Sequence, residues 1–296
     1  MKHLKNLGDL LDKDEDPSKL ALIDLSVRGQ VRQFSHENID AAAKAMARRL
    51  TNEGFKRGDH IAILAANSAE FLIAYLGTMR AGMVSIPINH KFPNDTIEFI
   101  LSDSNCKLVF ADKDRLSQIP KVYPTVSFGE TSKNSFDDWL DWGDFETVVP
   151  KKNEIAMFLY TSGSTGRPKG VPLTHAGHLW VIEMRLKQKP ESFHKMLVAA
   201  PLYHMNGLAI CKVALAAHLT IILLPQFNAK EYVEAIGEYG VTWLTSVAAM
   251  MAMVVREEKI LQETDLSSVK IVRMGSAPVS LKSVSYTHLR AHETRI

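Results

Sequence analysis

Apolar and polar positions along the chain repeat one order, a short apolar run followed by a stretch of helical periodicity. The run 21–25 and the segment after Gly29 predict two short strands around a turn. A helix then opens at Ser35 or His36 and continues to Gly54, which suits a C-terminal cap. The apolar face of this helix comprises Ile39, Ala42, Met46 and Leu50.

The same order continues to position 111. The predicted elements are strands at 60–65, 83–88 and 107–111 and helices at 68–79 and 95–101. Asn67 and Ser68 are both candidate N-caps of the first of these helices. Such alternation predicts parallel βαβ units in a sheet covered on both faces. From Tyr123 to Pro150 the pattern weakens, and we expect a surface excursion there.

A second α/β half follows. Its predicted strands are 155–160, 198–200, 220–224, 241–244 and 270–274, with helical segments between them. The apolar stretch 247–255 is a helix candidate whose methionines suit either ordinary core or an acyl pocket, with core packing as the default interpretation.

Composition and charge narrow the class of protein. The 296 residues are 46% hydrophobic and 23% charged, which is typical of a folded globular chain. A net charge of +2 gives no indication of a nucleic-acid partner. The two cysteines, Cys106 and Cys211, indicate a reducing cytoplasm rather than a disulfide scaffold. The apolar run 208–224 contains Lys212, which costs roughly 2.5–3.5 kcal/mol in a bilayer, so we expect a buried helix and strand instead of a membrane span.

A glycine- and hydroxyl-rich run, TSGSTGRPKG at 161–170, directly follows the predicted strand 155–160. Glycines let backbone N–H groups turn towards an anion, and Ser and Thr hydroxyls donate further hydrogen bonds. Lys169 adds a mobile positive charge, whereas Arg167 either adds another or is directed to solvent by the turn at Pro168. The run therefore suits a polyphosphate, the alternative being a solvated linker. It is not a Walker A loop, because Gly170 stands where Ser or Thr should follow the lysine.

These residues, YTSGSTGRPKGV at 160–171, resemble the nucleotide-loop signature of the adenylate-forming, AMP-binding superfamily, which includes acyl-CoA synthetases, adenylation domains and luciferases. Three further stretches are similar to the same superfamily: GMVSIPIN at 82–89, PLYHMNGL at 201–208 and GSAP at 275–278. The resemblance implies an α/β fold, the large N-terminal domain of these enzymes, with mixed sheets covered by helices.

The resemblance also implies the chemistry. MgATP activates a fatty or other acyl acid to an acyl adenylate, and coenzyme A then displaces AMP to give a thioester. The residues implied for the nucleotide are Thr161, Ser162, Gly163, Ser164, Thr165, Gly166 and Lys169 on the phosphates and Gly275, Ser276, Ala277 and Pro278 on the adenine side. Lys169 and His204 are the implied catalytic candidates.

His204 and the segment 275–278 also have plain structural interpretations. His204 is either a hydrogen-bonding histidine of the scaffold or a side chain that borders the acyl and adenylate pocket. The segment 275–278 is either a simple turn or a nucleotide contact, and its place after a predicted strand favours the contact, since open α/β sheets bind ligands at the carboxyl ends of strands. The remaining histidines show no metal-ligand triad.

The motif order ends before the ribose-binding, magnesium-binding and catalytic-lysine segments of the superfamily. We therefore expect residues 1–284 to be a partial AMP-binding domain without the small C-terminal domain, with little or no activity alone. The His- and Arg-rich stretch 285–296 breaks the preceding pattern, and we expect it to be a non-native tail. An adenylation domain that loads a carrier protein and a non-catalytic nucleotide-binding module remain alternatives.

Overall fold

Twelve β-strands and nine α-helices make up the part of the chain that the structure describes. The computed structural model describes residues 4–12, 14–129, 135–161, 167–188, 190–191 and 193–275. The strands are β1 (Leu20–Asp24), β2 (Arg32–Ser35), β3 (His60–Leu64), β4 (Val84–Pro87), β5 (Leu108–Asp112), β6 (Thr125–Phe128), β7 (Ile155–Thr161), β8 (Lys169–Thr174), β9 (Lys195–Val198), β10 (Thr220–Leu223), β11 (Trp243–Val247) and β12 (Ile271–Gly275). The helices are α1 (His36–Asn52), α2 (Ala69–Arg80), α3 (Asn94–Asp103), α4 (Phe136–Trp139), α5 (His175–Leu186), α6 (Met205–Ala216), α7 (Ala229–Tyr239), α8 (Ala248–Val254) and α9 (Glu258–Glu263).

The strands form two sheets of six. Sheet A has the order β12-β11-β9-β10-β1-β2, and sheet B has the order β6-β5-β3-β4-β7-β8. Neighbouring strands are parallel except in the hairpins β1–β2 and β7–β8, which are antiparallel. Both sheets are therefore mixed, and helices connect their parallel strands, which confirms the predicted α/β class.

Sheet A is built from distant parts of the chain. Strand β1 lies parallel to β10, with Ile23 opposite Ile222, so the N-terminal hairpin joins the strands of the second half. Both partners are buried. The hairpin was predicted from local pattern, whereas its partner was not, because pairing across such a distance leaves no local periodicity.

Helix α1 shows how local signals and packing agree. The Ser35 hydroxyl accepts a hydrogen bond from the N–H of Asn38, and the Asn38 side-chain oxygen accepts one from the N–H of Ser35, which closes a capping box. The apolar face of α1 packs on α2. A Cβ on Gly77 of α2 would lie 2.3 Å from Cγ of Met46, so the glycine permits the close approach of the two helices.

The expected surface excursion at 123–150 is wrong in part. Strand β6 extends sheet B beside β5, and α4 follows it. The Phe110 ring of β5 lies 6.1 Å from that of Phe128, 5.8 Å from Phe136 and 5.2 Å from Trp139, measured between ring centroids. These four-residue elements are too short to show a period, and their aromatic rings become buried only through tertiary contacts.

Two apolar segments of the second half are placed as follows. The strand predicted at 198–200 is β9, which ends at Val198, and Ala199 and Ala200 are buried in the turn beyond it. Met250 and Met251 of α8 are buried in the core of sheet A, in agreement with the default interpretation of the stretch 247–255.

The run 208–224 forms most of α6 and the whole of β10, as predicted, and Lys212 is buried within it. Over the described ranges, no helix combines the length and the apolar character that a bilayer crossing requires.

Candidate active site

The β7–β8 hairpin carries the described ends of the predicted phosphate loop. Thr161 closes β7 and lies opposite Lys169, the first residue of β8, and both are exposed. Since β7 runs parallel to β4, this end of the hairpin is at the carboxyl edge of sheet B. Lys169 and Gly170 therefore belong to a strand and not to the loop predicted over 161–170. The residues predicted between them, Ser162, Gly163, Ser164, Thr165 and Gly166, lie outside the described residues.

Helix α3 anchors this hairpin. The Tyr160 hydroxyl donates a hydrogen bond of 2.7 Å to Oδ2 of Asp103, and burial together with this carboxylate raises the pKa of Tyr160. The guanidinium carbon of Arg167 lies 5.2 Å from the centroid of the Phe99 ring. The Arg167 side chain is exposed and lies over Phe99 of α3, in agreement with the orientation towards solvent.

His204 lies at the carboxyl side of β9, immediately before α6, and is exposed. Its ring centroid is 4.8 Å from that of Tyr203, whose ring in turn lies 5.1 Å from that of His90. Partial burial lowers the pKa of His204, so the imidazole is neutral at pH 7. No hydrogen bond joins this ring to another described residue, which leaves both nitrogens accessible.

Two neighbours fix the segment around His204. Asn67, after β3, accepts a hydrogen bond of 2.8 Å from the N–H of Leu202 and donates one of 3.1 Å to the carbonyl of Ala200. Gly207 lies so close to the same turn that a Cβ would be 2.7 Å from the carbonyl oxygens of Ala200 and Pro201. The glycine of the PLYHMNGL segment therefore lets the first turn of α6 pack directly on the chain before His204.

A cavity of about 540 Å³ opens between α5, α6 and the strands β9, β11 and β12. Its lining includes Gly275 at the end of β12, Ser246 near the end of β11 and Asn206 in the first turn of α6. A Cβ on Gly275 would meet no atom of the described residues within 4 Å. The structure thus brings Gly275 and Asn206 of the PLYHMNGL segment to one cavity at the carboxyl ends of strands, whereas His204 is not among the described residues that line it.

Sequence reasoning missed several residues of this cavity. Thr245 and Ser246 line it from β11, and the rule that placed Gly275 at a strand end would have found them. Arg185 and Arg273 also line it, without any local signal in the sequence. Ser276, Ala277 and Pro278, predicted on the adenine side, lie outside the described residues, as does the stretch 285–296.

The comparison with protein families decides the family to which this fold belongs. The model of the AMP-binding enzyme family matches residues 12–291. The chain belongs to the AMP-binding enzymes. The match covers the β7–β8 hairpin, the segment around His204 and Gly275 together, which confirms the resemblance drawn from the four motifs.

Curated relatives of this AMP-binding chain are coenzyme A ligases. It is 26% identical over 271 residues to oxalate–CoA ligase of Arabidopsis thaliana, covering 86% of this chain and 53% of that protein. It is also 26% identical over 267 residues to 2-succinylbenzoate–CoA ligase of Bacillus subtilis, covering 90% and 52%. The chain thus spans about half the length of the curated relatives it matches.

Solved structures agree on the fold. The N-terminal domain of FACL13 from Mycobacterium tuberculosis superposes with a TM-score of 0.86 at 24% identity, covering 97% of this chain and 74% of that one. ATP-bound MatB from Rhodopseudomonas palustris superposes with a TM-score of 0.83 at 26% identity, covering 94% and 56%. The large N-terminal domain predicted from the motifs is therefore the observed architecture.

Proposed function

We propose that the protein containing this chain activates a carboxylic acid with ATP and transfers the acyl group to coenzyme A. In the first step a carboxylate oxygen bonds to the α-phosphorus of ATP, and the bond to the β-phosphate oxygen breaks to release pyrophosphate. In the second step the thiol sulfur bonds to the acyl carbon, and the bond to the AMP oxygen breaks. The observation that carries the proposal is the cavity shared by Gly275 and Asn206 of the PLYHMNGL segment in an AMP-binding chain.

Lys169 and Thr161 supply the described groups suited to the nucleotide phosphates. They are exposed and face each other at the open end of the hairpin, so an ammonium and a hydroxyl are available to one anion. A lysine at this point lowers the charge repulsion between an approaching carboxylate and a phosphate. The contacts with α3 hold the hairpin in place before ATP binds. The phosphate-binding groups are therefore positioned in advance, and the hairpin does not have to rearrange.

We place His204 beside the carboxylic acid that is activated in the first step. Its imidazole is neutral and free of hydrogen bonds to described residues, so it can donate one to a developing carbonyl or phosphoryl oxygen. The packing of Gly207 on Ala200 and Pro201 fixes the backbone that carries this side chain. We therefore assign His204 a contact with the acyl adenylate.

The reaction uses Mg²⁺ bound to ATP in our proposal, and the ion screens the phosphate charge when it is bound. Within the described ranges, no three His, Cys, Asp or Glu side chains cluster as metal ligands. We therefore assign Mg²⁺ no ligand from these residues. We also propose a reducing, cytoplasmic setting, because Cys106 and Cys211 are both buried free thiols.

The test measures the exchange of labelled pyrophosphate into ATP in the presence of an added carboxylic acid. It uses the longest protein that the gene encodes. We expect exchange with a carboxylic acid, and a decrease of about 10²-fold in Lys169→Ala, since one preorganised charged donor is worth that much. Lys230→Ala is the matched control, because Lys230 lies exposed on α7 and, among the described residues, pairs with Glu234 alone at 3.7 Å.

The outcomes separate the alternatives. Exchange followed by thioester formation on free coenzyme A supports the ligase, whereas transfer only to a carrier protein indicates an adenylation domain. ATP binding without exchange for any acid indicates a non-catalytic nucleotide-binding module and refutes the proposal. Equal exchange by Lys169→Ala and Lys230→Ala would remove Lys169 from the mechanism.

A further inference from the structure

An aspartate occupies the last residue of α3, where a helix least favours a negative charge. The carboxylate of Asp103 lies at the negative end of the helix dipole, and the last turn of α3 carries no basic residue to compensate it. Asp103 is exposed and makes no ion pair with a described lysine or arginine. A residue that disfavours its own helix is expected where a contact outside the helix requires it.

The contact of Asp103 outside α3 is with Tyr160. The tyrosine hydroxyl donates a hydrogen bond of 2.7 Å to Oδ2 of Asp103. Burial, followed by this hydrogen bond and the charge of Asp103, raises the pKa of Tyr160, so the hydroxyl keeps its proton at neutral pH and remains a donor. The bond joins the end of α3 to the penultimate residue of β7.

The carboxyl end of α3 is itself held on sheet B. The carbonyl of Ser104, the C-cap of α3, accepts a hydrogen bond from Nδ1 of His60 in β3. The His60 ring lies 5.3 Å from that of Phe158 in β7, measured between centroids. Asp103 is therefore attached to a helix end that the sheet fixes.

The Tyr160 ring passes this constraint to β8. Tyr160 lies opposite Gly170 in the hairpin, and Thr161 lies opposite Lys169 in the next pair. A Cβ on Gly170 would be 3.0 Å from Cζ and 3.2 Å from the hydroxyl oxygen of Tyr160, so the backbone of β8 lies directly against the ring. The position of Lys169 therefore depends on where the Tyr160 ring is held.

Phe99 adds a second contact from the same face of α3. Phe99 and Asp103 are four positions apart, so their side chains are neighbours on the helix surface. The guanidinium carbon of Arg167 lies 5.2 Å from the centroid of the Phe99 ring, and Arg167 precedes Lys169 by two residues. Helix α3 thus contacts both the end of β7 and the chain that enters β8.

We propose that Asp103 is a positioning residue for ATP, which acts through Tyr160 to hold Lys169 where the nucleotide phosphates bind. The inference rests on the proposed function, because that function assigns Thr161 and Lys169 to the phosphates. Asp103 itself touches neither the nucleotide nor the acid. A carboxylate is a stronger acceptor for the tyrosine hydroxyl than a neutral group, which accounts for a charge at the unfavourable end of α3.

The experiment measures ATP affinity, exchange kinetics and thermal unfolding on the longest protein that the gene encodes. We expect Asp103→Ala to raise both the Kd and the KM for ATP by about fivefold or more, since a small displacement of a phosphate-binding group weakens its contact. The kcat at saturating ATP and the KM for the acid should stay unchanged. The thermal midpoint should be unchanged or higher, because alanine removes the repulsion by the helix dipole and favours the helix.

Two further variants test the route through Tyr160. Tyr160→Phe keeps the ring against Gly170 and removes the hydroxyl, so it should raise the Kd for ATP by the same factor. The double variant with Asp103→Ala should bind ATP no more weakly than either single variant, since both remove one bond. Asp103→Glu keeps a carboxylate and should restore part of the affinity.

Asp95 provides the matched control on the same helix. Its carboxylate lies in the first turn of α3, where the dipole favours it, and accepts a hydrogen bond of 2.7 Å from the N–H of Thr96. Asp95→Ala should therefore lower the thermal midpoint and leave the Kd for ATP unchanged. Asp103→Ala should do the reverse, which a general loosening of α3 does not produce.

Failure of this inference is distinguishable from failure of the proposed function. If Asp103→Ala bound ATP as tightly as the unmodified protein and exchange persisted, the positioning role would be overturned and the ligase activity left intact. Additive losses in the double variant, or a weakened affinity together with a lowered thermal midpoint in Asp103→Ala, would likewise overturn it. Absence of exchange with every acid, at the expected Kd values for ATP, would overturn the proposed function alone. Absence of ATP binding would overturn both.

Discussion

The side-chain oxygen of Asn67 accepts a hydrogen bond of 2.8 Å from the backbone N–H of Leu202, and this contact joins the two sheets. Asn67 follows β3 of sheet B, whereas Leu202 follows β9 of sheet A. The Asn67 amide also donates to the carbonyls of Ala200 at 3.1 Å and Leu224 at 3.0 Å. One buried side chain thus fixes the turn that leads to His204.

Substitution of Asn67 should destabilise the chain. We expect Asn67→Ala to lower the free energy of unfolding by about 2–4 kcal/mol, because three hydrogen bonds of about 1 kcal/mol each are lost and buried backbone groups stay unsatisfied. Urea denaturation measures the change. The control is Asn94→Ala at the start of α3, whose side chain is exposed and bonds to no other described residue, with an expected change within about 0.5 kcal/mol. Equal losses in the two variants would show that the contact does not matter.

Lys212 of α6 is a buried lysine whose described contact is a histidine. Its Nζ lies 3.3 Å from Nδ1 of His178 on α5, and its side chain is almost fully buried. Burial lowers the pKa of Lys212 to about 7. Burial and the charge of Lys212 lower the pKa of His178 to about 4, so His178 is neutral and can accept a hydrogen bond from the ammonium.

Lys212→Met should therefore stabilise the chain, and more so in acid. The lysine binds a proton more tightly in the unfolded state, so the unmodified chain loses stability as pH falls from about 10.5 towards about 7. At pH 7 we expect a gain of roughly 1–4 kcal/mol in Lys212→Met, shrinking towards pH 10. Urea titrations at several pH values measure it, with Lys230→Met on the surface of α7 as control. A gain independent of pH would contradict the assigned cause.

Local pattern predicted the elements, and long-range packing decided the rest. Helix α1 was predicted because Ser35 caps it and Met46 and Leu50 lie on one face. Of the two candidate caps of α2, Ser68 is the N-cap, and Asn67 instead bonds to the other sheet. Which polar side chain caps a helix and which braces a distant turn depends on neighbours that are remote in sequence.

The residues of the candidate site also divide into those that the sequence pattern predicts and those that depend on tertiary packing. Gly275 and the PLYHMNGL segment could be placed at strand ends, because parallel strands bring their carboxyl ends to one edge. Arg185 could not be predicted, since it ends a helix whose position over β12 follows only from tertiary packing. Arg167 likewise depends on the approach of Phe99 from α3, and no pattern around Pro168 indicates that contact.

Gly207 offers a test of the packing before His204. A Cβ there would lie 2.7 Å from two backbone oxygens, which cannot move away as a flexible side chain can. We expect Gly207→Ala to lower the free energy of unfolding by about 1–3 kcal/mol and to weaken acid-dependent pyrophosphate exchange.

Gly177→Ala in α5 is the matched control, because a Cβ there would meet only the Thr174 hydroxyl at 3.2 Å and alanine favours a helix by about 1 kcal/mol. If Gly207→Ala proved as stable as Gly177→Ala, the glycine would not be needed for close packing.

The imidazoles of His36 and His218 form a buried stack. Their ring centroids are 3.8 Å apart with planes inclined by 14°, and both side chains are almost fully buried. Nε2 of His36 and Nδ1 of His218 have no hydrogen-bond partner among the described residues. Burial, followed by the charges of His218 and Lys19, lowers the pKa of His36 from 6.5 to about 3.

The stack should make the chain labile in acid. The folded state disfavours the protonated form of His36, whereas the unfolded chain binds this proton below pH 6.5. The contribution of neutral His36 to the free energy of unfolding is therefore complete above pH 6.5 and is lost as pH falls towards 3. Between pH 8 and pH 5 this single group accounts for about 2 kcal/mol, so His36→Phe and His36→Gln should each reduce the pH dependence of unfolding by that amount. The two variants pack differently, but neither has an imidazole that titrates at this position. Urea denaturation at each pH therefore separates the effect of packing from the effect of protonation. If the free energy of unfolding of both variants varied with pH as it does in the unmodified chain, the acid lability would belong to other groups.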